Sequence, residues 1–170
     1  MTDGDLHDPI ARLDAARRRI RALGPAVVRG EPWRLSPDIG VGPEATWGPP
    51  EVLAHVAEMV PFWQGELERV LAIPESAPLP RFGRTAEDPL RIGVIARDRS
   101  LPAHELLARI EAGLDRLVLR LGQLTPREGE RRAVHATRGE RSLLEFIDRF
   151  LVTHLEEHAR QLDDLLRQPG

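Results

Sequence analysis

The chain of 170 residues contains no cysteine. Disulfide bonds, thiolate metal ligands and cysteine nucleophiles are therefore all excluded. A bound metal ion would have to be held by histidine and carboxylate side chains, which are the other common protein ligands. The sequence has six histidines, so their positions on the predicted fold decide whether a metal site is plausible.

Lysine is also absent, so all 24 basic residues are arginine. Covalent catalysis through a Schiff base needs a lysine amine and is excluded. Acidic residues number 27, and the formal net charge is -3 at pH 7. A chain with this balance has no overall positive field with which to hold a polyanion, so we expect no nucleic-acid partner.

Long apolar runs are missing as well. No segment approaches the roughly 20 apolar residues that a membrane-spanning helix needs. The first residues, MTDGDLHDPIARL, are acidic and lack the apolar core of a signal peptide. We therefore expect a cytoplasmic protein with no membrane partner.

Several catalytic motifs are absent. The metalloprotease pattern H-E-x-x-H fails because Leu155 follows His154. No histidine has a glutamate three residues before it, which excludes the Glu-x-x-His pairs of di-iron helical bundles. No G-x-S-x-G elbow and no glycine-rich phosphate loop before a helix occur. A Ser-His-Asp triad stays open, because its members need not be close in sequence.

Apolar residues recur with helical spacing in four segments. The first helix is predicted to begin at Asp8-Pro9 and to end at Gly24-Pro25. The second is predicted to begin at Pro49-Pro50, and Pro61 is predicted to kink or split it. The third is predicted to begin near Ser100, a residue type that favours the N-cap position.

The fourth helix is predicted to begin with a capping box formed by Ser142 and Glu145. The preceding stretch, REGERRAVHATRGE, is too polar for a core, and no strand-like alternation of any length appears. Residues 89–97 are predicted to add a short turn of helix. The predicted apolar stripes of helices two to four are Val52, Val56, Met59, Trp63, Leu67, Val70; Leu106, Ile110, Leu114, Leu117, Leu121; and Ile147, Leu151, Leu155, Leu162, Leu165.

Four helices without a sheet predict an all-α protein, a four-helix bundle formed by a single domain over residues 1–170. The connection between helices two and three, residues 73–99, is long enough to run the length of a bundle, about 30 Å for a helix of twenty residues. Helices two and three can then run parallel. The predicted topology is therefore up-down-down-up with long connections.

Three histidines fall on inward faces of these helices. His154 and His158, in the stretch HLEEH, are four residues apart, so their Cβ atoms lie about 5–6 Å apart on one face. His55 follows Val52 by three residues and also faces inward. Three imidazoles from two helices favour a metal site with one open position for water. The alternative is that each histidine is a hydrogen-bonded core residue without a metal.

Two polar residues lie one helical turn from these histidines. Glu58, near His55, is the candidate catalytic general base, and a solvated surface charge is the alternative. Gln161, beyond His158, is a candidate hydrogen-bond partner for that ring, and a polar edge residue is the alternative.

Further residues are candidates for the walls of a substrate pocket. The alternative for the aromatic residues is that they only pack in the core. The alternative for the arginines is that they lie in a solvated loop. A histidine in the polar stretch is a candidate to approach the site. These residues are Trp47, Trp63, Phe82, Arg81, Arg84 and His135.

The stretch TWGPPEVLAHVAEMVPFWQGELERVL carries a tryptophan followed by an inward histidine, and it resembles the second helix of the DinB/YfiT-like family. The stretch AVHATRGERSLLEFIDRFLVTHLEEHARQLDDLL, with its H-x-x-x-H-x-x-Q run, resembles the last helix of that family and the loop before it. RDRSLPAHELLARIEAGLDRLVLRLGQLTP fits the third helix. The resemblance covers residues 44–166 and, more loosely, the first helix.

The resemblance implies an up-down-down-up four-helix bundle, often a homodimer, with a divalent metal such as zinc or nickel on His55, His154 and His158. Some relatives are transferases or isomerases that use a small thiol such as bacillithiol, mycothiol or glutathione. Relatives often carry aspartate where this chain has Leu155. The implied function is a metal-dependent transferase with a small-molecule substrate. The alternatives are a non-catalytic dimeric helical protein with a structural or vestigial site, and a metal-dependent hydrolase.

Overall fold

The computed structural model describes residues 7–39 and 44–167, and most of these residues are helical. The prediction of a mostly helical chain is confirmed, with one small two-stranded sheet in addition. No helix within the two described ranges is long and apolar enough to cross a membrane. In chain order the elements are α1 (His7–Arg29), a 3-10 turn (Glu44–Thr46), α2 (Pro49–Ala72), α3 (Pro89–Asp98), α4 (Ala103–Leu121), α5 (Pro126–Glu130), β1 (Arg132–His135), β2 (Gly139–Ser142), α6 (Leu143–Ile147), a π-helical segment (Asp148–Thr153) and α7 (His154–Arg167).

The last three helical segments form one continuous helix. Asp148 and His154, at its two junctions, both have right-handed helical dihedral angles. We call residues 143–167 the C-terminal helix. Its predicted capping box is confirmed: the Ser142 hydroxyl accepts a hydrogen bond from the Glu145 backbone N–H at 3.2 Å, and the Glu145 carboxylate accepts one from the Ser142 N–H at 2.8 Å.

The core lies between the long helices. α2 packs against α4, and α1 packs against both α4 and α7. Almost all of the predicted stripe residues are buried by these contacts, and Leu165 packs half-buried at the edge. Burial of one such side chain stabilises the fold by about 1.5–3 kcal/mol. The buried stripe residues are Val52, Val56, Met59, Trp63, Leu67, Val70, Leu106, Ile110, Leu114, Leu117, Leu121, Ile147, Leu151, Leu155 and Leu162.

Two predicted helix breaks do not occur. The prediction that α1 ends at Gly24-Pro25 is wrong, because α1 continues to Arg29. A proline removes one backbone hydrogen bond from a helix, but the extra turn places Val27 in the core with no exposed surface. α2 likewise runs through Pro61 to Ala72 without a break, so that proline does not split it.

The start of α2 at Pro49 agrees with the prediction, and a buried carboxylate fixes it. Glu51 is fully buried and accepts hydrogen bonds from the backbone N–H groups of Gly48 at 3.0 Å and Ser36 at 2.9 Å. Arg99, just after α3, donates to the same carboxylate at 3.2 Å. Glu51 therefore joins the connection before α2, the first turn of α2 and the end of α3.

Two helices after α2 have bounds that differ from the predicted ones. The stretch predicted as a short turn is the ten-residue helix α3, capped by the Asp88 side chain, which accepts from the backbone N–H groups of Leu90 and Arg91. α4 begins at Ala103, and its N-cap is Pro102 rather than the predicted Ser100. Both differences lie within a few residues, as is usual at helix ends.

The prediction that no strand occurs is wrong. β1 and β2 form an antiparallel hairpin that pairs Arg132 with Ser142 and His135 with Gly139. Gly139, at the end of the three-residue turn, has φ 69°, the left-handed conformation that such turns require of glycine. The stretch predicted as too polar for the core also contributes to it, because Ala133 and His135 are buried.

The hairpin is held in place by the connection that follows α2. The Val134 N–H donates to the Pro80 carbonyl at 2.9 Å, and the Phe82 N–H donates to the Val134 carbonyl at 3.0 Å. The next residue, Gly83, has φ 75°, and a Cβ atom there would lie 2.4 Å from the Trp63 ring. Glycine at this position therefore allows the connection and the hairpin to close together over α2.

Candidate metal centre

The three predicted histidines meet between α2 and α7. His55 Nε2 lies 3.5 Å from His154 Nε2. The ring centroid of His158 lies 4.9 Å from that of His55 and 4.5 Å from that of His154. His55 and His158 are buried, and His154 is half-buried. The imidazoles therefore converge on one point inside the protein.

Glu44, in the 3-10 turn before α2, is a fourth member of this cluster. Its carboxylate oxygens lie 4.0 Å from His55 Nε2, 3.8 Å from His154 Nε2 and 3.7 Å from His158 Nε2. One donor atom from each of the four residues lies within 4.8 Å of the others. Glu44 was not among the predicted ligands. It follows a connection rich in glycine and proline, and in such an irregular segment the direction of a side chain cannot be deduced from residue spacing.

This donor set fits a metal ion. Two atoms bound to one zinc ion lie at most roughly 4.3 Å apart, since each bond is about 2.0–2.2 Å long. The distances of 3.5–4.0 Å from His55 Nε2 to His154 and from Glu44 to the three rings fall below this bound. The separations in the full set extend to at most 4.8 Å, so a shift of about 0.5 Å brings all four donors within reach of one ion. His158 Nε2 is also buried without a hydrogen-bond partner in the described part of the chain. A cation at the shared point removes that cost of about 1–3 kcal/mol, so the cluster can hold a metal ion.

The protonation states suit a cation. Burial lowers the pKa of His55 well below its usual value and lowers the pKa of His158 to about 4. Both rings are therefore neutral near pH 7, the state in which imidazole binds metals. Burial raises the pKa of Glu44, but its interactions with His154, His158 and Arg91 outweigh burial and hold this pKa below the usual value. The ionised carboxylate supplies the negative charge that a cation needs.

Gln161 orients His158. The two side chains are joined by a 3.0 Å hydrogen bond between His158 Nδ1 and Gln161 Oε1, in which the ring nitrogen is the donor because the amide oxygen can only accept. Gln161 Nε2 in turn donates to the backbone carbonyl of Glu44 at 2.6 Å. One side chain therefore positions both the ring and the turn that carries the carboxylate, and it leaves His158 Nε2 directed into the cluster.

Glu58, the predicted general base, lies behind His55. One of its carboxylate oxygens is 3.8 Å from His55 Nδ1, and the other pairs with Arg84. Glu58 does not line the cavity beside the cluster. A carboxylate in this position commonly orients a metal-binding imidazole. The edge of Trp47 packs against the same ring at a centroid distance of 5.4 Å, so His55 is held from two sides.

The π-helical segment aligns side chains of the C-terminal helix toward the site. Phe146, Phe150, His154 and His158 are each four residues apart. In a pure α-helix four residues turn by about 400°, so each step would drift by about 40°. A π-helical turn contains more residues than an α-helical turn. Four residues within it therefore rotate by less than 360°, which offsets the drift of the α-helical steps. Phe150 stacks with Phe146 at a centroid distance of 5.8 Å, and Phe150 and His154 line the same cavity.

Arg12, on α1, clamps the π-helical segment. Its guanidinium donates to Asp148 at 2.6 Å, to the Thr153 hydroxyl at 3.3 Å and to Glu156 at 3.0 and 2.7 Å. Asp148 and Thr153 are the first and last residues of the segment. A single side chain therefore holds both ends of the irregular turn that immediately precedes His154.

We expect Arg12→Gln to weaken metal binding about tenfold, the lower end of the effect of outer contacts on metal ligands. The reason is that the turn before His154 loses its clamp. Arg19→Gln is the matched control, because Arg19 also joins α1 to the C-terminal helix, through Asp163 at 2.5 Å, but outside the π-helical segment. Competition with a metal chelator measures both affinities, and equal affinities in the two variants would contradict the role of Arg12.

A cavity of about 290 Å³ adjoins the cluster and is lined by His55, His154 and Glu44 at one end. Of the predicted pocket residues, Trp63 and Arg84 line it, whereas Trp47 and Phe82 pack in the core and Arg81 is exposed elsewhere. His135 also lines the cavity. Its ring nitrogens are already bonded, one to the Arg84 carbonyl at 3.0 Å and one to Thr137 at 3.2 Å.

Comparison of the chain with family models, with curated proteins and with solved structures found no match. The function is therefore argued from the geometry of the site and from the resemblance described above.

Proposed function

We propose that the protein is a metal-dependent enzyme of the DinB/YfiT-like type that transfers a group between a small-molecule substrate and a small cellular thiol. The observation that carries the proposal is the cluster of Glu44, His55, His154 and His158 at one end of a 290 Å³ cavity. A metal site that only stabilises a fold needs no such space, whereas a catalytic site needs room for a substrate.

The proposed fold is a four-helix bundle formed by α1, α2, α4 and the C-terminal helix, with up-down-down-up topology. The contacts of α2 with α4, and of α1 with both α4 and α7, support it. The long connection between α2 and α4, which contains α3, leaves room for these two helices to run in the same direction. The cluster then lies where α2 and α7 face each other.

The proposed cofactor is a divalent cation, zinc or nickel, on His55, His154, His158 and Glu44. Such an ion supplies a Lewis acid that lowers the pKa of a thiol or water molecule beside it. Gln161 keeps the His158 ring in place through a hydrogen bond, and the Glu58 carboxylate lies 3.8 Å from His55 Nδ1. In the transfer itself the thiol sulfur forms a bond to an electrophilic carbon, the leaving group departs from that carbon, and the thiol proton passes to solvent. The chain has no cysteine, which is consistent with a thiol that comes from a cosubstrate.

The test begins with the purified protein, loaded with Zn²⁺ or Ni²⁺ and freed of excess metal. We expect one ion per chain by elemental analysis. We also expect metal-dependent consumption of glutathione, bacillithiol or mycothiol in the presence of an aromatic electrophile, with the chelated protein as control. Failure to bind an ion would contradict the whole proposal. Bound metal without consumption of any of the three thiols would contradict the transferase, and hydrolysis of esters or amides would then be tested.

A second candidate function is a non-catalytic dimeric helical protein with a structural metal site. Glu44 favours it, because four protein donors can close a tetrahedral site and leave no position for a substrate. Cobalt-loaded protein separates the two candidates. A visible spectrum that changes when a thiol is added supports an open, catalytic site. A spectrum that does not respond, from a protein that is dimeric by light scattering, supports the structural one.

A further inference from the structure

The cavity beside the cluster has two unlike walls. One consists of α2 and the C-terminal helix, which contribute Met59, Trp63 and Phe150. The other consists of residues 84–91 and the β-hairpin. A volume of about 290 Å³ lies at the lower end of the range of roughly 300–1,000 Å³ for small-molecule sites. The ligand that fits is therefore small, of the size of one ring with a short substituent.

The first wall is apolar and aromatic. Trp63 and Phe150 stack on each other at a centroid distance of 4.4 Å with their planes 8° apart, and Phe82 stacks on Trp63 at 5.6 Å. These rings cover each other's faces, so the stack is rigid. A rigid aromatic surface of this kind binds an apolar or aromatic body through edge-to-face contacts and by removing it from water.

The second wall contains one cation that no carboxylate neutralises. Arg84 pairs with Glu58, and Arg91 pairs with Glu44. Arg138, in the turn of the hairpin, is exposed, lines the cavity and has no hydrogen-bond or ion-pair partner in residues 7–39 and 44–167.

Glu87 also lines this wall and is ionised near pH 7, since its hydrogen bond to Thr85 and then that to its own backbone N–H lower its pKa. Those bonds hold the carboxylate to its own loop. Among the arginines that line the cavity, Arg138 is therefore the one whose guanidinium is left to bind a ligand.

The hairpin gives Arg138 a defined position. It precedes Gly139, whose left-handed conformation closes the turn, and the strand before it is bonded to the connection after α2 through Val134. His135, the last residue of β1, bonds to the Arg84 carbonyl at 3.0 Å. The turn is thus fastened beside the cavity, and the guanidinium offers the paired N–H groups that match a carboxylate.

We infer that the cavity selects a small ligand with an apolar body and a carboxylate, and that Arg138 binds this carboxylate while the body packs against the aromatic wall that contains Trp63 and Phe150. The inference rests on the proposed function only in taking this cavity as the substrate site, and it names the chemical class of the electrophilic substrate. Arg138 is then the residue that determines specificity for an acid over the corresponding neutral compound.

The test compares benzoate with its neutral analogue benzamide on the zinc-loaded full chain, with dissociation constants from calorimetry. We expect benzoate to bind about tenfold more tightly, because a charge-assisted hydrogen bond contributes at least that factor. Arg138→Gln should reduce the preference to within about twofold, and Arg138→Lys should keep part of it. Arg116→Gln is the matched control, because Arg116 is also exposed and does not line the cavity.

Two outcomes overturn the inference. One is equal affinity of the wild-type protein for the acid and the amide. The other is a preference for benzoate that persists in Arg138→Gln, which would mean that the metal ion and not the arginine takes the carboxylate. The same titration on chelated protein separates this inference from the proposed function. A preference that depends on Arg138 in the chelated protein supports the inference whatever the elemental analysis finds, whereas failure of the loaded protein to bind an ion contradicts only the metalloenzyme.

Discussion

His158→Ala is expected to weaken metal binding about 100-fold. His158 is buried, its Nδ1 is held by Gln161, and its Nε2 faces the cluster without another partner in the described part of the chain. Structural zinc sites bind with about 10–16 kcal/mol, so one donor of four contributes about 3 kcal/mol, or about 100-fold in affinity. Elemental analysis after dialysis and competition with a chelator measure the loss.

Two control variants make this result specific to the site. His104→Ala removes an exposed histidine of α4 that belongs to a different groove, so its metal content should equal that of the wild type. His158→Gln keeps most of the side-chain volume and avoids a cavity in the core, so a loss shared with His158→Ala is a loss of ligation and not of folding. A His158→Ala protein that binds the metal ion as tightly as the wild type would contradict the metal centre.

Glu51→Ala is expected to have the largest effect on stability. The substitution leaves the backbone N–H groups of Gly48 and Ser36 and the guanidinium of Arg99 without their common acceptor. Arg99 is partly exposed and keeps its bond to the Ser36 carbonyl at 2.6 Å. The cost therefore comes mainly from the two N–H groups left without an acceptor, at about 1–3 kcal/mol each. Urea denaturation measures the free energy of unfolding. The protein is chelated first, so that metal binding does not add to this free energy.

Glu145→Ala is the matched control for this prediction. Glu145 makes the same kind of capping-box contact, with Ser142, but at an exposed helix end. Its loss should therefore cost about 1 kcal/mol or less. Glu51→Gln, which retains one acceptor oxygen, should fall between the two alanine variants. If Glu51→Ala and Glu145→Ala lowered the free energy of unfolding equally, the buried carboxylate would not be the anchor of α2.

Regular spacing made the helices and the histidines predictable. His55, His154 and His158 sit at fixed offsets from apolar residues, and a helix converts such offsets into a shared direction. Glu44 could not be found in this way, because its position depends on Glu51 and Gln161 holding an irregular segment. The three imidazole ligands could therefore be predicted from the sequence. The fourth donor could not, because tertiary contacts determine its position.

The hairpin was missed for a related reason. Its strands are four residues each and contain one arginine each, and the position of β1 depends on backbone bonds between Val134 and the distant Pro80 and Phe82. The one local signal was Gly139 after three turn residues, which is weak without flanking alternation. The error at Gly24-Pro25 had another cause, because burial of Val27 outweighed a local breaker signal.

The four donors come from distant parts of the chain: one from the turn before α2, one from α2 and two from α7, about a hundred residues later. An ion shared among them acts as a cross-link that closes a very long loop, and closure of long loops restricts the unfolded chain most. Occupancy of the centre and cohesion of the whole chain are therefore linked. Loss of a bound ion would then make the chain easier to unfold and to digest with a protease.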